Sequence, residues 1–434
     1  MSRPWGALVR DRQILSWALY DWANSAFATT VMAGFFPLFF KKYWSAGVDV
    51  NVSTFNLGNA NSIASGALAL LSPMLGAVAD QASFKKRFLF LFSALGVVMT
   101  GAMYFVAQGD WVTAVVLYVL ASIGFAGGNT FYDALLMSVA GPRDRIRVSA
   151  IGFSLGYLGG GVLFAINVLM TLKPHLFGLA DNVEGVRVSF LTVAIWWAVF
   201  TIPVMLFVRE DARKEQKGLV RVAIDGWLQV AETFREIRRL RNAALFLFSY
   251  FFYIDGVNTI IKMAVDYGLS LGFATDSLII ALLITQFVGF PATIFFGWLG
   301  GKLGEKGGLF IAIAVYVGVT IYAYFMSSST EFYVLAIVIG LVQGGVQSLS
   351  RSVFAEMTPQ TKTAEFFGFF NMLGKFSSVV GTALVGFVSL YTQSTRLSIL
   401  SVVILFVIGM VSLIFVKIVP PAGGHATAPP PPSE

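Results

Sequence analysis

Apolar residues run along this chain in long stretches separated by short polar breaks. A helix that crosses the hydrocarbon core of a bilayer needs ~20 mainly apolar residues. Six runs meet that rule near 14–41, 55–79, 88–108, 111–140, 148–172 and 187–208. Six more follow near 243–268, 277–300, 308–327, 331–357, 364–391 and 396–418. The pattern predicts an all-α membrane protein of twelve transmembrane helices in two pseudo-symmetric six-helix bundles. The bundles take 1–208 and 242–418, with a charged cytoplasmic linker at 209–241 and a disordered tail at 419–434, ending in APPPPSE. Within the linker, Val220, Ile224, Trp227, Ala231, Phe234 and Ile237 recur at helical spacing. That spacing fits either an amphipathic helix lying on the membrane or a solvated linker helix.

Composition agrees with a lipid home. Hydrophobic residues make up 57% of the chain and charged residues only 12%, where soluble domains carry about a quarter charged. The net charge of +7 would raise the question of nucleic acid in a soluble protein; here the retention of Lys and Arg in cytoplasmic loops accounts for it. With both termini placed in the cytoplasm, twenty-two basic residues fall on the inner side, five on the outer side, and Lys262, Arg351 and Lys375 within helices. The expected location is an inner (plasma) membrane, multi-pass, with both ends inside.

Several classes drop out. Cysteine is absent, so disulfides and thiolate metal sites are excluded, and the two histidines, His175 and His425, fall in an outer loop and the tail. No G-x-x-x-x-G-K-[ST] stands in the chain to bind ATP, and no H-E-x-x-H to build a metallohydrolase. No enzyme activity, metal or cofactor is expected, and no nucleic-acid partner.

Two internal echoes point to duplication. Asp21-Trp-Ala-Asn24-Ser25 in the first run matches Asp255-Gly-Val-Asn258-Thr259 in the seventh. Gly127-Gly128 and Pro142 match Gly344-Gly345 and Pro359 at one offset of 217 residues.

Between the second and third runs, Gly76-Ala-Val-Ala-Asp80-Gln-Ala-Ser-Phe-Lys85-Lys86-Arg87 resembles the loop motif of the major facilitator superfamily. It departs from that motif at Ser83 and Phe84. Gly76 permits close helix contact, and Asp80 suits the positive end of a neighbouring helix. These residues, with Lys85, Lys86 and Arg87, form the predicted gating motif. Longer stretches carry a narrower resemblance: Y20-D-W-A-N-S-A-F27, F131-Y-D-A-L-L136, G156-Y-L-G-G-G161, Y253-I-D-G-V-N-T-I-I261, Q343-G-G-V-Q-S-L-S-R-S352 and E365-F-F-G-F-F-N-M-L-G-K375. They are similar to bacterial relatives of the autophagy-related vacuolar effluxer, a major facilitator branch implicated in amino-acid release. The resemblance implies a cavity lined by helices one, four, seven and ten.

Ionisable residues inside apolar helices cost ~2.5–3.5 kcal/mol each at helix centre, so they mark function. Here they are Asp21, Asp133, Asp255, Lys262, Asp266, Arg351 and Lys375. Lys262 and Asp266, four apart on one helix, read as a structural pair. The remainder predict a solute site. Arg351 and Lys375 attract a carboxylate or phosphate, Asp255 or Asp21 takes an ammonium, and Asn24, Asn258, Asn371 and Gln347 supply hydrogen bonds. Asp21 and Asp133 are the expected proton-coupling pair, because burial disfavours a charged carboxylate. The function expected is secondary active transport of a small polar or zwitterionic, amino-acid-like solute by alternating access, by a monomer. A lipid or lysolipid transporter of the same fold, or a non-transporting sensor, are the alternatives.

Overall fold

A computed structural model of the chain describes residues 3–46, 84–210, 232, 235–392 and 394–418. The second predicted span, most of the linker and the tail lie outside the described residues, as do Gly76 and Asp80.

A short helix α1 (Trp5–Arg10) leads into α2 (Arg12–Ala26). Asp11 caps α2, its carboxylate accepting from the backbone N–H groups of Gln13 and Ile14, while the Arg3 guanidinium donates to the other oxygen at 2.9 Å. Burial pushes the Asp11 carboxyl up, but these donors outweigh it and hold the group below the usual carboxylate value. The cap therefore stabilises fully above about pH 4 and is lost as pH falls through the depressed folded value. Asp11→Ala is expected to cost ~1 kcal/mol of stability in thermal unfolding at neutral pH and to flatten the acid dependence.

Beyond Ala26 the first span continues as one rod. It is π-helical over Phe27–Phe35, α-helical over Phe36–Phe39 and π-helical again over Phe40–Trp44. The first half is completed by α3 (Lys85–Ala102), α4 (Trp111–Val139), α5 (Arg145–Leu172) and α6 (Asn182–Phe207). The second half contains α7 (Arg241–Ser270), α8 (Thr275–Leu303), α9 (Glu305–Phe325), α10 (Ser329–Met357), α11 (Thr363–Thr392), α12 (Thr395–Leu400) and α13 (Val403–Ile414). Among the described residues, nine helices are long and apolar enough to cross a membrane. The first span and α11 match the runs expected at 14–41 and 364–391. The last span is broken by a turn at Ser401 and Val402, which the apolar run at 396–418 did not reveal.

Helix ends follow local rules. Ser328 and Glu331 close a capping box at the start of α10, and Asp110 and Asp181 cap α4 and α6.

Inside the first half, α2 packs on α5 and α6, and α3 packs on α4 and α6. In the second half, α7 packs on α11 and α13, and α10 on α8 and α9. The halves meet where α5 lies against α8 and α10, and α4 against α11. Ile and Phe side chains on the outer faces, such as Phe105, Ile195, Phe295 and Phe387, remain exposed, as a lipid-facing surface requires.

The repeated motif shows its duplication in geometry. Ser25 Oγ donates to Asp21 Oδ1 at 3.3 Å, and Thr259 Oγ1 donates to Asp255 Oδ1 at 3.4 Å, each across one helical turn. Each motif also sits on a glycine: a Cβ at Gly156 of α5 would lie 3.0 Å from Asp21 Oδ1, and one at Gly381 of α11 would lie 2.7 Å from Asp255 Oδ1. The D-x-x-N-[ST] signature is thus a helix clasp in both halves.

Candidate functional site

Arg351 stands at the centre of the interface between the halves, only 2% exposed. It projects from α10 of the second half into polar groups of the first. Its Nη1 donates to Asp133 Oδ1 at 3.1 Å and lies 3.9 Å from Asp21 Oδ2. Its Nε donates to Ser149 Oγ and its Nη2 to the Ser149 carbonyl, both at 2.9 Å. The rings of Phe153, Trp17 and Tyr132 lie 4.1, 4.9 and 5.3 Å from the guanidinium carbon, where ring quadrupoles favour a cation. Tyr132 Oη donates to Asp21 Oδ2 at 3.3 Å, and Asn371 Nδ2 donates to Asp133 Oδ2 at 3.1 Å. Two carboxylates and a guanidinium thus share one network, with an arginine that the second half supplies and carboxylates that the first half supplies.

This network opens on a cavity of about 170 Å³, far more than the ~15 Å³ that one water needs. The wall is drawn from α2, α4, α5, α7, α10 and α11. Asp21, Asp133, Asn258, Gln347, Arg351 and Asn371 all line it. Tyr157 Oη donates to Gln347 Oε1 at 3.1 Å, tying α5 to α10 across the interface.

The remaining predicted residues fall elsewhere. Asn24 stands behind the wall, with its Nδ2 donating to Asn129 Oδ1, and Asn129 is the amide that lines the cavity. Asp255 is not at the cavity either. It is fully buried between α7 and α11, so an ammonium in the cavity does not reach it. The side chains of Lys375 and Asp266 lie outside the described residues, although Gly374, beside Lys375, lines the cavity. Ser149, Asn129, Phe153, Tyr250 and Phe370 were not singled out in the sequence. Asn129, an amide beside the F131-Y-D run, carried a readable signal; Ser149 and the rings did not.

At the end of the bundle that carries Arg3 and Lys417, the halves are closed on one another. Ser149 Oγ donates to the Ser348 carbonyl at 2.9 Å, and Arg145 Nη1 to the Ala355 carbonyl at 3.3 Å. Lys85 Nζ of the predicted gating motif donates to Thr363 Oγ1 at the start of α11. Lys86 Nζ donates to the Val208 carbonyl at 2.6 Å, and the ring of Phe84 lies 4.5 Å from the Arg87 guanidinium. The Glu210 carboxylate, which the sequence did not mark, accepts the backbone N–H groups of Lys85 and Lys86 at 2.8 and 3.2 Å and so caps α3.

Two helical halves with a charged cavity at their interface have the fold of the major facilitator transporters. The crystal structure of the major facilitator transporter FucP in the outward conformation shares that fold. It has a TM-score of 0.71 at 11% identity, covering 95% of this chain and 99% of FucP. The family described as "Vacuole effluxer Atg22 like" matches residues 45–146 and 139–419, and the chain belongs to that family. An uncharacterized MFS-type transporter of Bacillus subtilis, YxiO, is 40% identical over 93% of this chain and 95% of its own length. Autophagy-related protein 22 of Yarrowia lipolytica is 26% identical over 58% of this chain, and the match spans about half of the yeast protein, 46%.

Proposed function

We propose that the protein moves a small zwitterionic, amino-acid-like solute across a bacterial plasma membrane by alternating access, coupled to protons carried on Asp21 and Asp133. The observation that carries this reading is Arg351 of the second half held between two carboxylates of the first, at the wall of a cavity.

The network couples charge to movement of the halves. While Asp133 is ionised it occupies Arg351, and the ion pair ties the halves together. A proton on Asp133 weakens that pair and frees the guanidinium, whose planar donors suit a solute carboxylate. Asp21, with Tyr132 beside it, then faces the solute ammonium, and Asn371, Asn258 and Gln347 supply neutral contacts. Release of the solute and then of the proton restores the ion pair. The gating residues at the closed end, Lys85 and its neighbours among them, hold this state until the solute-loaded halves rock.

The test uses protein reconstituted in proteoliposomes. Asp133→Asn and Asp21→Asn are expected to abolish uptake of labelled amino acids driven by a pH gradient, while Asp133→Asn retains counterflow, which needs no net proton movement. Unchanged gradient-driven uptake in both variants removes the two residues from coupling. Absence of counterflow with every amino acid removes the solute class.

One observation favours a second reading, transport of a lipid or lysolipid. A largely apolar cavity of about 80 Å³ lies one turn away on α7 and α10, where Ile261 follows Asn258 and Gln343 precedes Gln347. An amphiphile would place its head on Arg351 and its tail there. Flipping of labelled lysolipid in the same vesicles, without amino-acid counterflow, would establish it.

A further inference from the structure

Asp255 repeats the motif of Asp21 without its surroundings. Both accept a hydroxyl one turn ahead and rest on a glycine of the neighbouring helix. Asp21 then turns Oδ2 toward Tyr132 and Arg351. Asp255 Oδ2, in a side chain with 0% exposure, has no hydrogen-bond partner among the described residues. The duplication explains the difference. At the offset of 217 residues, Tyr132 and Asp133 of α4 correspond to Leu349 and Ser350 of α10, which bring no charge, and Ser350 is engaged with Tyr253 Oη at 2.7 Å.

Among the described residues no ion pair is formed by Asp255. From α11 the backbone N–H of Gly381 donates to its carboxyl group, and from α13 the Phe406 ring packs on Gly256 beside it. On its own helix Lys262 is seven residues along, about two turns, and its charge acts on Asp255 along the same face. On α11, Lys375 precedes Gly381 by six residues. A metal cation is a poor candidate for the missing partner, because α11 is too close: a Cβ at Gly381 would lie 2.1 Å from Thr259 Oγ1. A proton needs no such room. A buried carboxylate without an ion-pair partner is strongly disfavoured, and the neutral acid is the form that burial tolerates.

We propose that Asp255 is a proton-binding site of the second half, occupied while α7 and α11 pack as they do here and emptied when they part. In the closed arrangement the proton sits on Oδ2, and Oδ1, as the carbonyl oxygen, accepts the Thr259 hydroxyl. When water enters between the helices, the Oδ2–H bond breaks, the proton passes to water and the carboxylate stays on the protein; closure reverses the step. This site goes beyond the coupling role given to Asp21 and Asp133 and stands without it.

Infrared spectroscopy of the purified full-length protein in lipid nanodiscs at neutral pH tests it without any transport readout. Wild-type protein is expected to show a protonated-carboxyl C=O band that Asp255→Asn lacks. Thr259→Val, which keeps the acid and removes its hydroxyl donor, should retain that band and move it to higher frequency. If the Asp255→Asn difference spectrum contains only carboxylate bands, or the protonated-carboxyl region is unchanged in both variants, the proposal falls. Should Asp255→Asn fail to fold, the band shift in Thr259→Val decides alone.

Discussion

Arg351→Ala is expected to abolish uptake and to lower stability by ~3–5 kcal/mol, the usual result of removing one partner of a buried ion pair. The substitution takes the cation away from Asp133 Oδ1 and Asp21 Oδ2, and it leaves Ser149 without the guanidinium it holds at two points. Arg351→Lys keeps the charge but has no planar fork with which to grip Ser149 and Asp133 together. Its melting temperature should fall between wild type and Arg351→Ala, with uptake reduced more than tenfold. Arg351→Gln combined with Asp133→Asn removes both charges and should recover most of the stability without recovering uptake. Thermal unfolding in detergent and vesicle uptake, measured on the same preparations, separate the two effects. An Arg351→Lys protein that transports like wild type would show that the fork geometry is irrelevant to the solute.

That network was half legible in the sequence. Asp21, Asp133 and Arg351 stand out because each is a charge in an apolar run, where lipid tolerates none without a partner. Their pairing was hidden. Asp133 and Arg351 are 218 residues apart, and periodicity along one helix says nothing of which face meets which across an interface. The fold was read more fully, since backbone polar groups in lipid must be satisfied within the segment, and that constraint is written as long apolar runs. Asp255 shows where pattern reading stops. Its motif equals that of Asp21, yet the environment of each carboxylate is set by the helix opposite, Tyr132 and Asp133 in one half and Leu349 and Ser350 in the other. Ser149 illustrates the same limit from the other side. A serine in a membrane helix is an ordinary residue, and here its hydroxyl and carbonyl become the seat of the central arginine only because α5 and α10 meet.

The site also depends on how closely α4 approaches α3, and Gly124→Ala is expected to be the most damaging substitution of a single methyl group. A Cβ at Gly124 would lie 2.5 Å from the Gly96 nitrogen, 2.6 Å from the Phe92 carbonyl oxygen and 2.7 Å from the Gly96 Cα. All three are backbone atoms of α3, which cannot rotate aside as a side chain does, so the helices must separate. Overpacking of this kind costs ~1–3 kcal/mol and at times more. Gly345→Ala in α10 should cost less, because its Cβ would meet the Phe296 ring, a group with rotamer freedom. Gly301→Ala in α8 meets nothing within 4 Å and should be neutral or raise stability by up to ~1 kcal/mol through helix propensity. The functional loss should track the order of melting temperatures for the first of these in particular. Asn129 and Asp133 follow Gly124 on α4 by five and nine residues, so a helix pushed away from α3 is also displaced relative to Arg351. Equal melting temperatures for Gly124→Ala and Gly301→Ala would mean that α3 and α4 do not touch through their backbones, and that Asp133 owes its position to contacts such as those with Arg351 and Asn371 rather than to that packing.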